Sequence, residues 1–300
     1  MCVHKRSSVY QNGDNEKRSF RTDRRHLERV RERIAGHLRA TVDDAGANGV
    51  VVGMSGGIDS TLTATLAVEA LGGDSVVGLG MPVHKTERPH AVEARTIAEG
   101  LGIEFHEIHL RPLLEAFEEA FTSRFESPAD GTRPNERNRA LGNAVARLRM
   151  LCAYYVSNRQ SRLVLGTANR SELLLGYFTK FGDGGVDVNP IGDLYKTEVR
   201  ALARRVGVPR RIVSKEPTAG FWAGQTDADE LGVSYERVDP FLARVVDDCQ
   251  PIDDAIDGLE IDRETASDVA DLVVETAHKR SPPPTPGIDG RSDLGGRFDS

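Results

Sequence analysis

The sequence predicts an α/β fold, a doubly wound parallel sheet flanked by helices, from three observations. Short apolar runs alternate with longer stretches whose apolar residues recur at helical spacing. One run, Val50-Val51-Val52, leads straight into GMSGGIDS (53–60) and then into the helical pattern of TLTATLAVEAL. Another, RLVLGT (162–167), leads in the same way into NRSELLLGYF. In open sheets of this kind ligands sit outside the carboxyl ends of the strands, so the two turns are candidates for one site.

The elements follow in order. Residues 23–42 carry apolar positions at helical spacing with Arg and Glu on the other face, and predict a helix. After the strand, glycine turn and helix around residue 55, SVVGLGMP (75–82) reads as a second buried strand. RPHAVEARTIAEGLG (88–102) predicts an amphipathic helix ending at glycine. IEFHEIHL (103–110) alternates as a third strand, and 113–125 is helical. A Pro- and Gly-rich loop (126–136) precedes a long helix (137–159). After the fourth strand and its short helix, 179–196 is loop-like and 197–206 helical, with a break at Pro209. The stretch 214–232 has helix breakers, acids and no clear period, and is expected to be a mobile loop. Helices resume at 234–248 and 262–278. This gives one domain over 23–280, between a disordered basic arm (1–22) and a flexible Pro/Gly-rich tail (281–300).

Composition narrows the function. No run approaches the ~20 apolar residues of a membrane helix, and the polar N-terminus lacks the apolar stretch of a secretory signal, so a cytoplasmic protein is expected. A net charge of −7 argues against nonspecific nucleic-acid binding. The three cysteines form no CxxC metal knuckle, and Cys152 reads as a core filler. Lysine occurs only at positions 5, 17, 85, 180, 196, 215 and 279, which draws attention to each internal lysine within a polar motif.

A glycine-rich turn between a buried strand and a helix exposes backbone N–H groups at the positive end of the helix dipole, a site for phosphate. GMSGGIDS is neither GxxxxGK[ST] nor GxGxxG. It places a carboxylate, Asp59, within the anion site, which suits a Mg²⁺ bridging carboxylate and phosphate. SGGxDS resembles the pyrophosphate loop of the N-type ATP pyrophosphatases. Within that superfamily, GTANRSELLLGYFTKFGDGGVDVNPIGDLYKTE (166–198), GNAVARLRM (142–150), EPTAGFWAGQTDADELGVSYE (216–236) and AHKRSPPPTP (277–286) resemble ammonia-dependent NAD synthetase over about residues 25–286.

The resemblance implies the adenine nucleotide alpha-hydrolase-like (PP-loop) form of the fold. It also implies amidation of deamido-NAD⁺ by ammonia with ATP, through an adenylated intermediate, to give NAD⁺, AMP and pyrophosphate. Gly53, Met54, Ser55, Gly56, Gly57, Ile58, Asp59 and Ser60 then bind the ATP phosphates, with Thr167, Lys196 and Thr218 as further ATP contacts. Asp59 and Glu172 match Mg²⁺ ligands, though a first-turn helix acid such as Glu172 is also favoured by the dipole alone. Arg147, Lys180, Asp187, His278 and Lys279 match contacts to deamido-NAD⁺, whose phosphates and carboxylate want a cationic site. Asp183, in KFGDGG, is the candidate acceptor of the ammonia proton, alongside Lys196 as a catalytic group; a turn aspartate between glycines is its bland alternative. A homodimer through the long helix is implied, with free ammonia as nitrogen donor; a separate glutaminase partner stays open without any residue that indicates one. A tRNA-modifying adenylase would want reactive cysteines and a basic face, and a nucleotide-binding regulatory module would not need Glu172, Lys196 and Asp183.

Overall fold

The computed structural model describes residues 20, 22–84, 87–125, 134–216, 227 and 232–286. Most of the expected arm and mobile stretch, Thr218, and the tail beyond residue 286 lie outside these residues.

The chain opens with α1 (Arg24–Asp44), whose first turn is capped by Asp23 Oδ1 accepting from the His26 N–H at 3.0 Å. Four parallel strands follow at intervals: β1 (Val50–Gly53), β2 (Val76–Gly80), β3 (Glu104–Glu107) and β4 (Leu163–Leu165). Val50, Val51, Val52, Val76 and Val77 are completely buried, as β-branched residues are when a parallel strand is covered on both faces. Each such side chain contributes roughly 1.5–3 kcal/mol by leaving water. β3 is shorter than the alternation predicted: beyond Glu107 only Ile108 and Leu110 donate singly, to the carbonyls of Gly80 and Pro82.

Side chains alternate across the sheet. Val50, Val52 and Val76 pack with α1, α2 (Ile58–Leu71), α3 (Arg88–Leu101) and α7 (Lys196–Arg205). Val51, Val77, Leu79 and Val164 pack with α4 (Arg111–Phe125) and α5 (Pro134–Gln160), where half-buried Cys152 serves as filler. Helices on both faces make the sheet doubly wound. α3 ends as expected at glycine: Gly102 adopts φ 66°, and the Ile103 N–H closes on the Ala98 carbonyl at 3.1 Å.

A second apolar cluster joins Leu174 and Leu175 of α6 (Arg170–Leu175), Tyr195, Val238, Phe241 and Leu242 of α9 (Tyr235–Leu242), and Ala266 and Val269 of α11 (Arg263–Glu275). The short helices α8 (Arg210–Val213), α10 (Ile252–Ala255) and α12 (Ala277–Arg280) fill the connections. Phe20 packs its ring, tilted by 53°, 5.3 Å from that of Tyr195, anchoring the chain just before α1. The helix predicted over 234–248 divides into α9 and a π-helical turn, Ala243–Asp247, next to the Pro240 that cannot donate to the helical ladder.

The strand order is β3-β2-β1-β4. The chain steps outward from β1 to β3, then crosses back to place β4 on the other side of β1. The crevice where the direction reverses, between the carboxyl ends of β1 and β4, is where such sheets bind ligands.

Candidate active site

The turn after β1 forms the floor of this crevice. Gly56 has φ 74°, and a Cβ there would meet the His90 carbonyl oxygen at 2.6 Å, so only glycine fits. Gly57 stands at the N-cap of α2, and no side chain caps that helix. Ser55 and Ser60 brace the turn instead. The Ser55 N–H donates to Ser60 Oγ, the Gly57 N–H donates to Ser55 Oγ, and Ser60 Oγ donates to the Gly57 carbonyl, each at 3.2 Å. The turn is rigid, and the helix end presents donors and positive potential to an anion.

Three predicted site residues meet at this turn. Lys196, the first residue of α7, is almost completely buried, with its side chain 3 % exposed. Its Nζ donates to Asp59 Oδ2 at 2.6 Å and to Glu172 Oε1 at 3.0 Å. Asn169 closes the group from the end of β4: its Nδ2 donates to Asp59 Oδ1 at 3.0 Å. Asn169 also shares a reciprocal capping box with Glu172, accepting from the Glu172 N–H and donating its own N–H to Glu172 Oε2. Glu172 therefore caps α6 and faces the crevice at once. Burial pushes its carboxyl up to about 7 against the pull of Lys196, with Asp59 adding to the rise. Burial works against the Lys196 ammonium, and the two carboxylates more than offset it, so its pKa is raised.

Asp227 is a member of the site that sequence reasoning missed. It is buried, its Oδ2 accepts from the Tyr235 hydroxyl at 3.0 Å, and its Oδ1 is buried with no hydrogen-bond partner among the described residues. Burial raises its pKa and the Lys196 charge lowers it. The Tyr235 ring lies 5.4 Å from Lys196 Nζ, a cation–π distance. Asn169 was likewise missed, although an Asn three residues before a Glu at a helix start is a capping signal.

Lys180, Asp183 and Asp187 lie on the segment after α6, which returns along β4 through a bridge between Val188 and Leu165, while Arg147 comes from α5, Thr167 from the turn after β4, and His278 and Lys279 from α12. Asp183 Oδ1 accepts from the Thr179 N–H at 2.9 Å, fixing the KFGDGG turn. Its surface is open to solvent at one side, while the protein around it raises its pKa by desolvation, moderated by that N–H and by the charges of Arg149 and Lys279. Arg147 is exposed on α5 and donates to the Lys180 carbonyl at 3.2 Å; Lys180 Nζ donates to the His278 carbonyl at 2.5 Å. Lys279 Nζ is taken by the carbonyls of Gly176 and Phe178, at 2.6 and 3.0 Å. Both oxygens of Asp187 are engaged, with Tyr154 Oη at 2.9 Å and the Val164 N–H at 2.8 Å, so it ties α5 to β4. Thr167 is half-buried just beyond β4. Arg149, two residues after Arg147 and so on another side of the helix, was also missed. It donates to the Met81 carbonyl at 3.1 Å and to Glu87 Oε2 at 3.2 Å, clamping the end of β2.

The crevice thus combines a helix start with no side-chain cap, a buried cation and the carboxylates that it bridges. The sequence profile of a family described as NAD synthase matches residues 30–283. The NH(3)-dependent NAD(+) synthetase of Methanosarcina mazei is 44% identical over 263 residues, 87% of this chain and 99% of that one. Among solved structures, NMN synthetase from Francisella tularensis superposes with a TM-score of 0.73 at 33% identity, covering 87% of this chain and 99% of its own. The NH3-dependent NAD synthetase of Campylobacter jejuni superposes with a TM-score of 0.69 at 28% identity, covering 86% and 98%.

Proposed function

Because this chain belongs to the NAD synthase family, we propose that the crevice between β1 and β4 is where it activates its substrate with ATP. The protein is an NAD⁺ synthetase: it amidates deamido-NAD⁺ with ammonia in an ATP-dependent reaction, the last step of NAD biosynthesis. The observation that carries the site assignment is the convergence of Lys196 Nζ on Asp59 and Glu172 beside the uncapped start of α2.

In the first step the nicotinate carboxylate oxygen bonds to the α-phosphorus of ATP while the bond from that phosphorus to the bridging oxygen of the β-phosphate breaks. The turn from Gly53 to Ser60 holds the departing pyrophosphate on backbone N–H groups, and Lys196 adds a fixed positive charge in a site shielded from water. The donor set also suits a divalent cation. Asp59 and Glu172 reach one common cationic atom, and carboxylate oxygens are the ligands Mg²⁺ prefers. Asp59 and Glu172 would hold Mg²⁺, which supplies neutralisation of phosphate charge.

In the second step ammonia attacks the adenylated carbonyl carbon, the nitrogen gives up a proton, and AMP leaves with the electron pair of the broken C–O bond. Asp183, held by the Thr179 N–H, is the group we assign to accept that proton. Arg147, Lys180 and His278 form the basic rim that would receive the dinucleotide phosphates; Lys279 and Asp187 shape the rim by holding its backbone. On α5, Leu151 and Tyr155 are 60 % and 67 % exposed and four residues apart on one face. We take that apolar face to be covered by a second copy of the chain.

The test is NAD⁺ formation from deamido-NAD⁺, ATP and Mg²⁺ with ammonium or glutamine as nitrogen source. Product with ammonium, matched by AMP and pyrophosphate, is expected. Turnover of ATP to ADP and phosphate, or no product with ammonium, would overturn the reading.

A further inference from the structure

Asp239 lies in the apolar stripe of α9, is completely buried, and touches none of the groups assigned to substrate. A carboxylate so placed is costly unless its oxygens are satisfied, and here both are. Oδ1 accepts from Ser171 Oγ at 2.5 Å; Oδ2 accepts from the Thr197 N–H at 2.9 Å and from Thr197 Oγ1 at 2.7 Å. Ser171 Oγ accepts in turn from the Lys196 N–H at 2.9 Å. The first two N–H groups of α7 have no partner within their own helix. They are capped from outside by Asp239 and by the serine it orients.

The neighbours of these partners are the site. Ser171 precedes Glu172 on α6, and Thr197 follows Lys196 on α7. The geometry points to Asp239 as a positioning residue that locks the starts of α6 and α7 together and so sets Lys196 Nζ against Glu172 and Asp59. This rests on the reading of that cluster as the ATP site. Groups that orient ligand-bearing residues typically contribute about 10–100-fold to affinity or activity.

The test uses the full chain and measures Mg²⁺-dependent ATP binding by calorimetry, with deamido-NAD⁺ and ammonia withheld, alongside kcat. Asp239→Asn keeps the size but cannot accept at both oxygens, and Ser171→Ala removes the linking hydroxyl. Each should weaken ATP binding about tenfold at fixed Mg²⁺, and the double variant should lose little more than either single one, because they act through one network. A purely structural role would lower the folded fraction and leave the affinity of the folded protein unchanged; that outcome, or losses that multiply in the double variant, would overturn the inference. If Asp239→Asn does not fold, Ser171→Ala decides. Lys196→Met serves as the reference. If it binds ATP like the parent, the site reading itself fails; if it is impaired while Asp239→Asn and Ser171→Ala are not, only the role of Asp239 fails.

Discussion

Lys196 Nζ stands 2.6 Å from Asp59 Oδ2, across 137 residues of sequence, and so fastens the start of α7 to the glycine turn after β1. The same atom reaches Glu172 at 3.0 Å. One ammonium therefore bridges carboxylates from two adjacent strand ends, in the crevice where the chain reverses direction across the sheet.

Removing that charge should affect stability and turnover together. Lys196→Met leaves two carboxylates facing each other with no cation between them, and breaking a buried ion pair from one side costs about 3–5 kcal/mol. The variant should melt at lower temperature, regain part of the loss when Mg²⁺ is added, and lose about 10²–10³-fold in kcat. Thermal unfolding with and without Mg²⁺ checks this; a variant as stable as the parent and indifferent to Mg²⁺ would speak against the shared-cation geometry.

Asp183 should matter for one half of the reaction only. Asp183→Asn keeps the turn but cannot accept a proton, so amide formation should slow by about 10²–10⁴-fold while adenylation proceeds. Rapid-quench measurement of AMP release set against intermediate formation separates the steps. Equal loss in both would assign Asp183 to the turn alone.

The buried carboxyl of Asp239 gives a pH signature. Burial pushes it up to about 6 from an ordinary 3.8, against the hydrogen bonds from Ser171 and Thr197. A folded-state pKa above the unfolded one means the native state holds the extra proton. The resulting stabilisation is complete below pH 3.8 and disappears as pH rises through about 6. Asp239→Asn has no such dependence, so the stability advantage of the parent over the variant should shrink across that window. Denaturant titrations at stepped pH measure it, and an advantage that grows with pH would show the shift to be downward.

The exposed face of α5 should govern assembly. Leu151→Asp places a charge in the apolar patch with Tyr155 and should convert a dimer to monomer in sedimentation velocity at micromolar concentration. A parent that sediments as a monomer would remove the second copy from the account.

The glycine turn after β1 was legible in the sequence because its signal is local: a buried valine strand, glycines where the backbone turns sharply, and an aspartate at the start of a helix. The sheet was legible for the same reason. The meeting of Asp59, Glu172 and Lys196 was not a matter of spacing; it depends on β4 inserting beside β1. The strand-end argument linked the turns that carry Asp59 and Glu172, and only family resemblance added Lys196. Asp239 was passed over, although Tyr235, Val238, Asp239 and Leu242 fall on one helical face, where an acid on a core stripe marks a buried partner. Asp227 lies in a stretch without any period, so nothing local marked it. Arg147 was chosen and Arg149 overlooked because a helix interior gives no sign of which arginine turns inward. The third strand was drawn too long because alternation continues past the point where an edge strand stops pairing.

The most direct measurement is exchange of labelled pyrophosphate into ATP with ammonia withheld. The account predicts exchange that requires deamido-NAD⁺ and is severely reduced in Lys196→Met. Exchange without the dinucleotide, or undiminished exchange in Lys196→Met, would contradict the assignment of the β1/β4 crevice as the site of adenylation.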